Sequence, residues 1–327
     1  MLIQRVFLSI LAVVAVPAVL VVYMFLSEKG LIKSKRKSFT DRIRPLLWLL
    51  PALLLISGIL IYPVINTVVL SFMSANSTEF VGLKNFAYIF AEKEMLIVLR
   101  NNALWVVFFT LLTVTLGLLI AVLTDRVKYE SVAKAFIFLP MAISFVAAGV
   151  IWKFMYEFRP IGTPQIGTVN AILTGLISDF KPQAWLSNRS QNNWALIIVG
   201  VWMWTGFAMV ILSAALKGIP YQLVEAARID GANEFNIFFR IILPLMKNTV
   251  VVVTTTLVIN VLKIFDIVYV MTNGNLGTEV IANRMYKEMF TYRNFGRASA
   301  LAVLLLVVII PVMLINIRRL KEGGARG

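Results

Sequence analysis

The side chains that most often carry enzyme chemistry are absent from this sequence. None of the 327 residues is Cys or His, which excludes thiolate nucleophiles, disulfides, histidine general bases and the usual zinc ligands. The sequence also lacks a G-x-x-x-x-G-K-[ST] loop, the usual cradle for nucleotide phosphates. We therefore predict a chain that has no catalytic residues and binds no metal or cofactor itself.

Three polar residues interrupt an otherwise apolar stretch in the last third of the chain. Asn260, Lys263 and Asp266 follow one another at three-residue spacing, so they would share one face of a helix. Charges at membrane depth are costly and normally face a partner or a cavity. Two interpretations stay open: a structural ion pair between Lys263 and Asp266, or a polar lining for a solute path. An ion-coupled secondary transporter would use the same two charges.

The composition places these polar residues in a membrane protein. Hydrophobic residues make up 60% of the chain and charged residues 14%, against about 45–50% and about 25% in soluble domains. Helices are expected because lipid offers the backbone no hydrogen-bond partners. The sequence predicts an all-α polytopic membrane protein with about seven transmembrane helices, each long enough to cross a core of about 30 Å. The predicted spans are residues 6–26, 46–70, 103–123, 135–156, 194–216, 249–271 and 298–317.

Lysines and arginines are unevenly divided between the two sides of these spans. The basic residues within 27–45, 126–134, 217–247 and 318–326 share one side and outnumber those of the other, and the richer side is normally cytoplasmic. The amino terminus is therefore predicted outside and the carboxyl terminus inside. The net charge of +15 then reflects contact with anionic membrane lipid, and no nucleic-acid partner is expected.

The first span has two interpretations, a cleaved signal peptide or a retained helix. Its charged region is a single Arg5, and no small-x-small cleavage site follows Leu26 before the basic loop. These features favour the retained helix. We therefore predict that residues 1–45 form an extra transmembrane helix followed by a basic cytoplasmic loop.

The cytoplasmic segment 218–244 has the sequence GIPYQLVEAARIDGANEFNIFFRIILP. Its first half predicts a short helix, since a proline suits the first turn and Gly231 suits the left-handed residue that ends a helix. Asn233 can cap a second helix. Ala226 and Ala227 would give the first helix a small-residue face that allows close approach. The plain alternative is a solvated amphipathic loop lying on the membrane.

The residue order in this segment is more particular than an amphipathic loop requires. Glu-Ala-Ala at 225–227, Asp-Gly-Ala at 230–232 and Ile-Leu-Pro at 242–244 resemble the EAA loop of the permease subunits of binding-protein-dependent ABC importers. In that family the loop forms a coupling helix that docks in a cleft on a separate ATPase subunit. The resemblance assigns six residues to this contact: Glu225, Ala226, Ala227, Asp230, Gly231 and Ala232.

The same resemblance implies a set of partners. A permease of this family works with a second permease, two ATPase subunits that bind ATP and magnesium, and an extracytoplasmic solute-binding protein. Residues 46–320 would then form the permease domain and residues 321–327 a cytoplasmic tail, in the inner membrane of a bacterial cell. The alternatives are the ion-coupled secondary transporter and a scaffold protein whose intramembrane charges serve assembly only.

Two shorter segments resemble the carbohydrate-importing branch of maltose-type permeases. Met-Thr-Asn-Gly at 271–274 is similar to an external turn of that branch, and Trp-Thr-Gly-Phe at 204–207 to one of its helical segments. Segments 140–145 and 263–268 resemble permeases for α-glucosides and glucosylglycerol. The resemblance places the sugar path, with the polar stripe described above, at Trp204, Thr205, Gly206, Met209, Leu257, Asn260, Val261, Lys263, Ile264 and Asp266.

Overall fold

A computed structural model describes residues 21–25, 37–125 and 127–324. Every regular element longer than an isolated bridge is helical in these ranges, which confirms the all-α prediction. Most of the predicted first span, residues 6–26, and the last three residues of the predicted tail lie outside them. The chain forms two compact units, Met1–Val69 and Leu70–Gly327.

The first unit holds most of the predicted second span. Helix α1 (Lys37–Ile56) passes through a π turn (Ser57–Ile61) into α2 (Tyr62–Leu70). Over Pro45–Leu70 the run is apolar and long enough to cross a membrane, and none of its most apolar window is buried. These exposed side chains fit a surface covered by lipid or by another subunit.

The second unit contains helices joined by short 3-10 and π turns. In chain order they are α3 (Lys84–Ala91), α4 (Lys93–Leu104), α5 (Thr110–Thr124), α6 (Glu130–Phe138), α7 (Phe145–Met155), α8 (Thr168–Leu176), α9 (Asn192–Lys217), α10 (Tyr221–Ile229), α11 (Glu234–Ile237), α12 (Leu243–Leu245), α13 (Lys247–Leu262), α14 (Asp266–Met271), α15 (Ile281–Tyr286) and α16 (Phe295–Gly324).

Three helical runs in this unit are long and apolar enough to cross a membrane without a sharp bend. They are Lys93–Thr124, Asn192–Lys217 and Phe295–Ile317. Together with Pro45–Leu70, they confirm four of the predicted spans as continuous helices. A helix satisfies most of its backbone hydrogen bonds internally, as a lipid environment demands.

Two sharp bends interrupt the remaining apolar helices. The predicted span 135–156 turns by 99° between Glu130–Ala142 and Phe145–Met155, at a 3-10 turn that contains Pro140. Proline cannot donate a backbone hydrogen bond, and Ser144 starts the next helix by accepting from the Ala147 N–H at 3.1 Å. A second bend of 69° separates Glu234–Leu245 from Lys247–Leu262, just before the predicted span 249–271 begins. The described residues therefore contain four spans, or six if each bent pair counts as one.

Helix α9 is the centre of the second unit and packs along α5. Gly117 permits this approach, since an added Cβ would lie 2.6 Å from the Ala208 Cβ. On the other side of α9, a Cβ at Gly206 would lie 2.6 Å from the Ile137 carbonyl oxygen. The two glycines thus let α5 and α6 contact the central helix at short distance.

Candidate translocation cavity and coupling segment

The predicted sixth span, residues 249–271, breaks in the middle of its polar stripe. Helix α13 ends at Leu262; Lys263 has φ −104° and ψ 24°, and Phe265 has φ −137° and ψ −60°. A new helix begins at Asp266, whose carboxylate is favourable in a first helical turn. The prediction that Lys263 and Asp266 share one side of a single helix is therefore wrong. Within the described ranges, no ion pair joins the two charges.

Asn102 stabilises this break from the neighbouring α4. Its side-chain amide donates to the Leu262 carbonyl oxygen at 3.2 Å, and its side-chain oxygen accepts from the Ile281 N–H at 2.7 Å. A buried backbone carbonyl left without a partner would be costly, and Asn102 is only 4% exposed. Sequence reasoning missed this residue because its partners lie far along the chain.

The helix break opens a cavity of about 220 Å³, which we call the break cavity. Its aromatic wall includes Phe145 and Trp204, whose rings stack at 6.2 Å and 23°. Its polar groups come from Asn260, Lys263 and Asp266. Most of the predicted path residues thus meet at one place. The lining residues are Phe109, Phe145, Trp204, Asn260, Val261, Lys263, Ile264, Phe265 and Asp266.

The other predicted path residues lie in the packed interior. Met209 and Leu257 are fully buried, and Gly206 lies against the α6 backbone. Thr205 is 7% exposed and donates its hydroxyl to the Val201 carbonyl oxygen at 2.7 Å. These four residues shape the helices around the break cavity rather than line it, and a direct solute contact by any of them stays a prediction.

A second cavity of about 520 Å³ lies beside the turn that follows α14, and we call it the turn cavity. The turn contains Gly274, which has φ +70° and so suits a residue without a Cβ. Buried asparagines hold the turn: Asn192 donates to the Leu276 carbonyl oxygen, and Asn101 to those of Gly277 and Glu279. These hydrogen bonds from buried asparagines give the rim of the turn cavity a fixed shape.

The segment 218–244 forms the predicted helix, turn and helix. Gly231 has φ +82°. Its N–H donates to the Arg228 carbonyl oxygen, and the Ala232 N–H donates to the Ala227 carbonyl oxygen, both at 3.0 Å. This pair of hydrogen bonds is the Schellman helix ending. Asn233 caps α11 by accepting from the Asn236 N–H at 2.8 Å.

Only one of the two alanines of the predicted small-residue face lies on the exposed surface of this segment. Glu225, Ala226 and Gly231 are exposed, whereas Ala227 is 9% exposed. Ala227 therefore packs within the chain, because it faces the interior side of α10. Of the two alanines, only Ala226 is available to a partner.

An ion pair ties the two helices of the segment together. The Arg228 guanidinium donates to the Glu234 carboxylate at 2.9 Å across the Gly231 turn. This hydrogen bond raises the pKa of Arg228 above its usual value. Both side chains are about half exposed, so solvent weakens the pair, which serves mainly to orient α10 and α11.

Comparison with known proteins places the chain in a family. Residues 113–318 match the family described as the binding-protein-dependent transport system inner membrane component. The osmoprotective compounds uptake permease protein GgtC of Synechocystis sp. is 59% identical over 275 residues, which cover 84% of this chain and 98% of that protein. The α-glucoside transport system permease protein AglF of Rhizobium meliloti is 46% identical over 297 residues, covering 90% of this chain and 88% of that protein.

A solved structure shares the fold. A chain of a bacterial ABC transporter involved in the import of the acidic polysaccharide alginate aligns with a TM-score of 0.71 at 22% identity. The alignment covers 86% of this chain and 99% of that one. The overall fold of this chain is thus one that exists in a membrane transporter.

These matches decide between the alternatives left by the sequence. They favour an ABC permease over an ion-coupled transporter. They also confirm the prediction of a non-catalytic membrane subunit. The chain belongs to the family of inner membrane components of binding-protein-dependent transport systems, the permease subunits of ABC importers.

Proposed function

We propose that this chain is the permease subunit of an ATP-driven importer for a sugar-type solute, of α-glucoside or glucosylglycerol size and chemistry. The observation that carries the proposal is the break cavity, where stacked aromatic rings meet Asn260, Lys263 and Asp266. Binding sites for small molecules combine apolar and aromatic walls with a few placed polar groups. The similarity to GgtC, a permease for osmoprotective compounds, and to AglF, a permease for α-glucosides, supports a compatible solute or an α-glucoside.

The proposed assembly contains a second permease, two ATPase subunits and an extracytoplasmic solute-binding protein that hands over the solute. The segment 218–244 is the proposed ATPase contact, and its exposed Glu225, Ala226 and Gly231 support that role. Closure of the ATPases would move this segment as a unit, since Arg228 and Glu234 join its two helices. The motion would reach the break cavity through α13, which follows the segment directly.

In the proposed orientation the segment 218–244 faces the cytoplasm and the turn cavity faces outward. The lysine and arginine distribution supports this arrangement. The solute-binding protein would then approach the side that carries the turn cavity, and the amino terminus would lie on the same side.

Uptake by the reconstituted complex tests this function. Proteoliposomes holding the complex, with ATP inside and loaded binding protein outside, should accumulate labelled trehalose, sucrose or glucosylglycerol. Glycine betaine, which has no sugar hydroxyls, is the comparison solute. Accumulation of glycine betaine but none of the three sugars would contradict the proposed solute class, and uptake that persists without ATP would contradict the energy source.

A further inference from the structure

The short helix α8 (Thr168–Leu176) starts where the second half of a bent span, α7, ends. Its N-terminus lies against Glu157, two residues beyond Met155, the last residue of α7. The approach is close at Gly167, where an added Cβ would lie 2.1 Å from the Glu157 carbonyl oxygen. Phe154, on the last turn of α7, is 71% exposed, as expected of a ring that faces lipid. Helix α8 therefore lies at the boundary between membrane and water.

Asn170 fastens α8 to both ends of the loop that carries it. This side chain is fully buried, and its amide nitrogen donates to the carbonyl oxygens of Glu157 at 3.2 Å and Gln183 at 3.0 Å. Its side-chain oxygen accepts from the Gln183 N–H and from the Trp185 indole N–H, both at 3.0 Å. A helix of nine residues is marginal in water by itself. These hydrogen bonds therefore keep α8 formed and hold it beside the membrane boundary.

Three different surfaces run along α8, because successive side chains turn by about 100°. The first, with Asn170 and Thr174, is turned toward the protein. The second, which we call the aliphatic ridge, consists of Ile172, 52% exposed, and Leu176, 77% exposed. The third is exposed, consists of small residues and includes Gly175. This division suits a helix that lies where protein, lipid and water meet.

The chemistry of the aliphatic ridge favours lipid over a protein partner. Helix α8 contains no charged and no aromatic side chain, whereas the strongest protein–protein contacts are enriched in Trp, Tyr and Arg and poor in Leu. Hydrocarbon accepts aliphatic side chains without any partner groups. The apolar face of an interfacial helix enters the boundary between headgroups and acyl chains by about 5–10 Å, and the ridge offers such a face.

We propose that the aliphatic ridge inserts into the lipid bilayer and anchors the loop 157–191 at the membrane surface. In the proposed orientation this is the outer leaflet, but the contact depends neither on the orientation nor on the solute. The same loop supplies Glu157 and Ala184 to the wall of the turn cavity. Because Asn170 bonds to Glu157 and Gln183, the lipid contact would hold this wall at a fixed height above the spans.

Fluorescence quenching of the complete complex in nanodiscs of phosphatidylcholine and phosphatidylglycerol tests this contact. Because the chain has no Cys, Ile172→Cys and Leu176→Cys each offer one site on this subunit for a small thiol-reactive fluorophore. The wild-type complex treated in the same way gives the background from its other subunits. A nitroxide on the lipid acyl chain near the headgroup should quench both ridge labels strongly, and aqueous iodide should quench them weakly.

Gly175→Cys is the matched control, since it changes the same helix and an added Cβ there meets nothing within 4 Å. It lies on the small-residue surface, so its iodide quenching constant should exceed that of Leu176→Cys several-fold. Lys181→Cys, in the exposed chain after α8, should resemble Gly175→Cys. Subunit yield and basal ATPase activity should match the wild type in all these variants, because every substituted position is exposed.

The other outcomes overturn the lipid contact. Equal iodide quenching of Leu176→Cys and Gly175→Cys would place the ridge in water. Ridge labels protected from both iodide and the lipid nitroxide would place it against the second permease, and protection that appears only with added binding protein would make it a docking surface for that protein. The measurement uses no transported solute. Lipid quenching of the ridge in a complex that imports no sugar would therefore keep this inference while the proposed function fails.

Discussion

At the scale of single residues, side-chain amides hold the functional region in shape. Asn102 supplies hydrogen bonds to the broken α13–α14 junction, and Asn101 and Asn192 hold the following turn. Each bonds to backbone groups that no helix satisfies. Asn260 differs, because it lines the break cavity while also donating to the Thr256 carbonyl oxygen at 2.9 Å.

Asn260→Leu should weaken transport without preventing assembly. Losing a buried hydrogen bond to a sugar hydroxyl costs about 1–3 kcal/mol, or about 5- to 150-fold in apparent affinity. The matched control is Thr254→Val, which removes a hydrogen bond from the same helix, to the Val250 carbonyl oxygen. Concentration-dependent sugar uptake in proteoliposomes measures the effect. An Asn260→Leu complex with unchanged affinity and selectivity would remove this residue from the site.

Asn102→Leu should destabilise the fold around the helix break. The Leu262 carbonyl and the Ile281 N–H would both lose their partner, at a cost of about 1–3 kcal/mol for each buried group left unsatisfied. Thermal unfolding of the purified complex, followed by loss of subunit association, should therefore occur at a lower temperature. Asn188→Ala, which changes an exposed loop residue, is the comparison. Equal midpoints for the two variants would contradict the role of Asn102.

The two charges of the broken helix call for a different experiment. Because Lys263 and Asp266 both line the break cavity and do not pair in the described chain, the double variant Lys263→Asp with Asp266→Lys should assemble yet change transport affinity or selectivity. Competition between labelled trehalose and unlabelled sugars measures selectivity. Retained selectivity would show that the two charges serve structure alone.

At the scale of elements, close helix contacts and one left-handed turn decide the arrangement. Helices α5 and α9 approach at Gly117, and α10 and α11 are joined by the Gly231 turn. The two glycines act differently. A Cβ would clash at Gly117, whereas at Gly231 nothing lies within 4 Å and only the positive φ resists substitution.

Gly231→Val should uncouple the ATPase from transport. A left-handed β-branched residue costs about 1–2 kcal/mol, so the turn would change its backbone and misplace α10. Glu225→Ala tests the same surface through a side chain that is exposed and therefore free to contact a partner. Binding-protein-stimulated ATPase activity should fall in both variants at normal subunit yield.

Gly218→Ala is the control for the segment 218–244, because its added Cβ would meet only the Ala215 and Ala214 carbonyl oxygens, at 3.4 and 3.7 Å. This variant should keep full stimulation. If Gly231→Val and Glu225→Ala are also fully stimulated, the segment does not dock on the ATPase.

Gly117→Val should separate the central helix pair. The added side chain would enter the contact with Ala208 and Met209, and overpacking of this kind costs about 1–3 kcal/mol. Gly175→Val is the matched control, since a Cβ there meets nothing within 4 Å. The yield and the unfolding temperature of the complex should fall only for Gly117→Val, and an equal fall for Gly175→Val would contradict the packing argument.

At the scale of the whole molecule, the topology rests on charge distribution. Because the chain contains no Cys, single introduced cysteines are clean probes of sidedness. In intact cells an impermeant thiol reagent should label Gly175→Cys and leave Lys35→Cys unlabelled until the membrane is opened. The reverse pattern would invert the proposed orientation, and with it the sides assigned to the turn cavity and to the segment 218–244.

The sequence alone determined the properties that depend on local order. Apolar length predicted the four continuous spans, because a helix is the only way to satisfy an isolated backbone in lipid. Gly231 and Asn233 predicted the turn and cap of the segment 218–244, since both act on neighbouring backbone groups. The resemblance carried by residues 225–232 predicted the family.

Only the tertiary structure decided where the helices break and which polar residues meet. The helix break at Lys263 depends on Asn102, whose hydrogen-bond partners Leu262 and Ile281 are distant from it in sequence. No local sequence pattern therefore predicts this break. The 99° bend at Pro140 is equally invisible to hydropathy, which measures length and not direction. Periodicity placed Lys263 and Asp266 on one helix face, but long-range hydrogen bonds ended that helix and set both charges around a cavity instead.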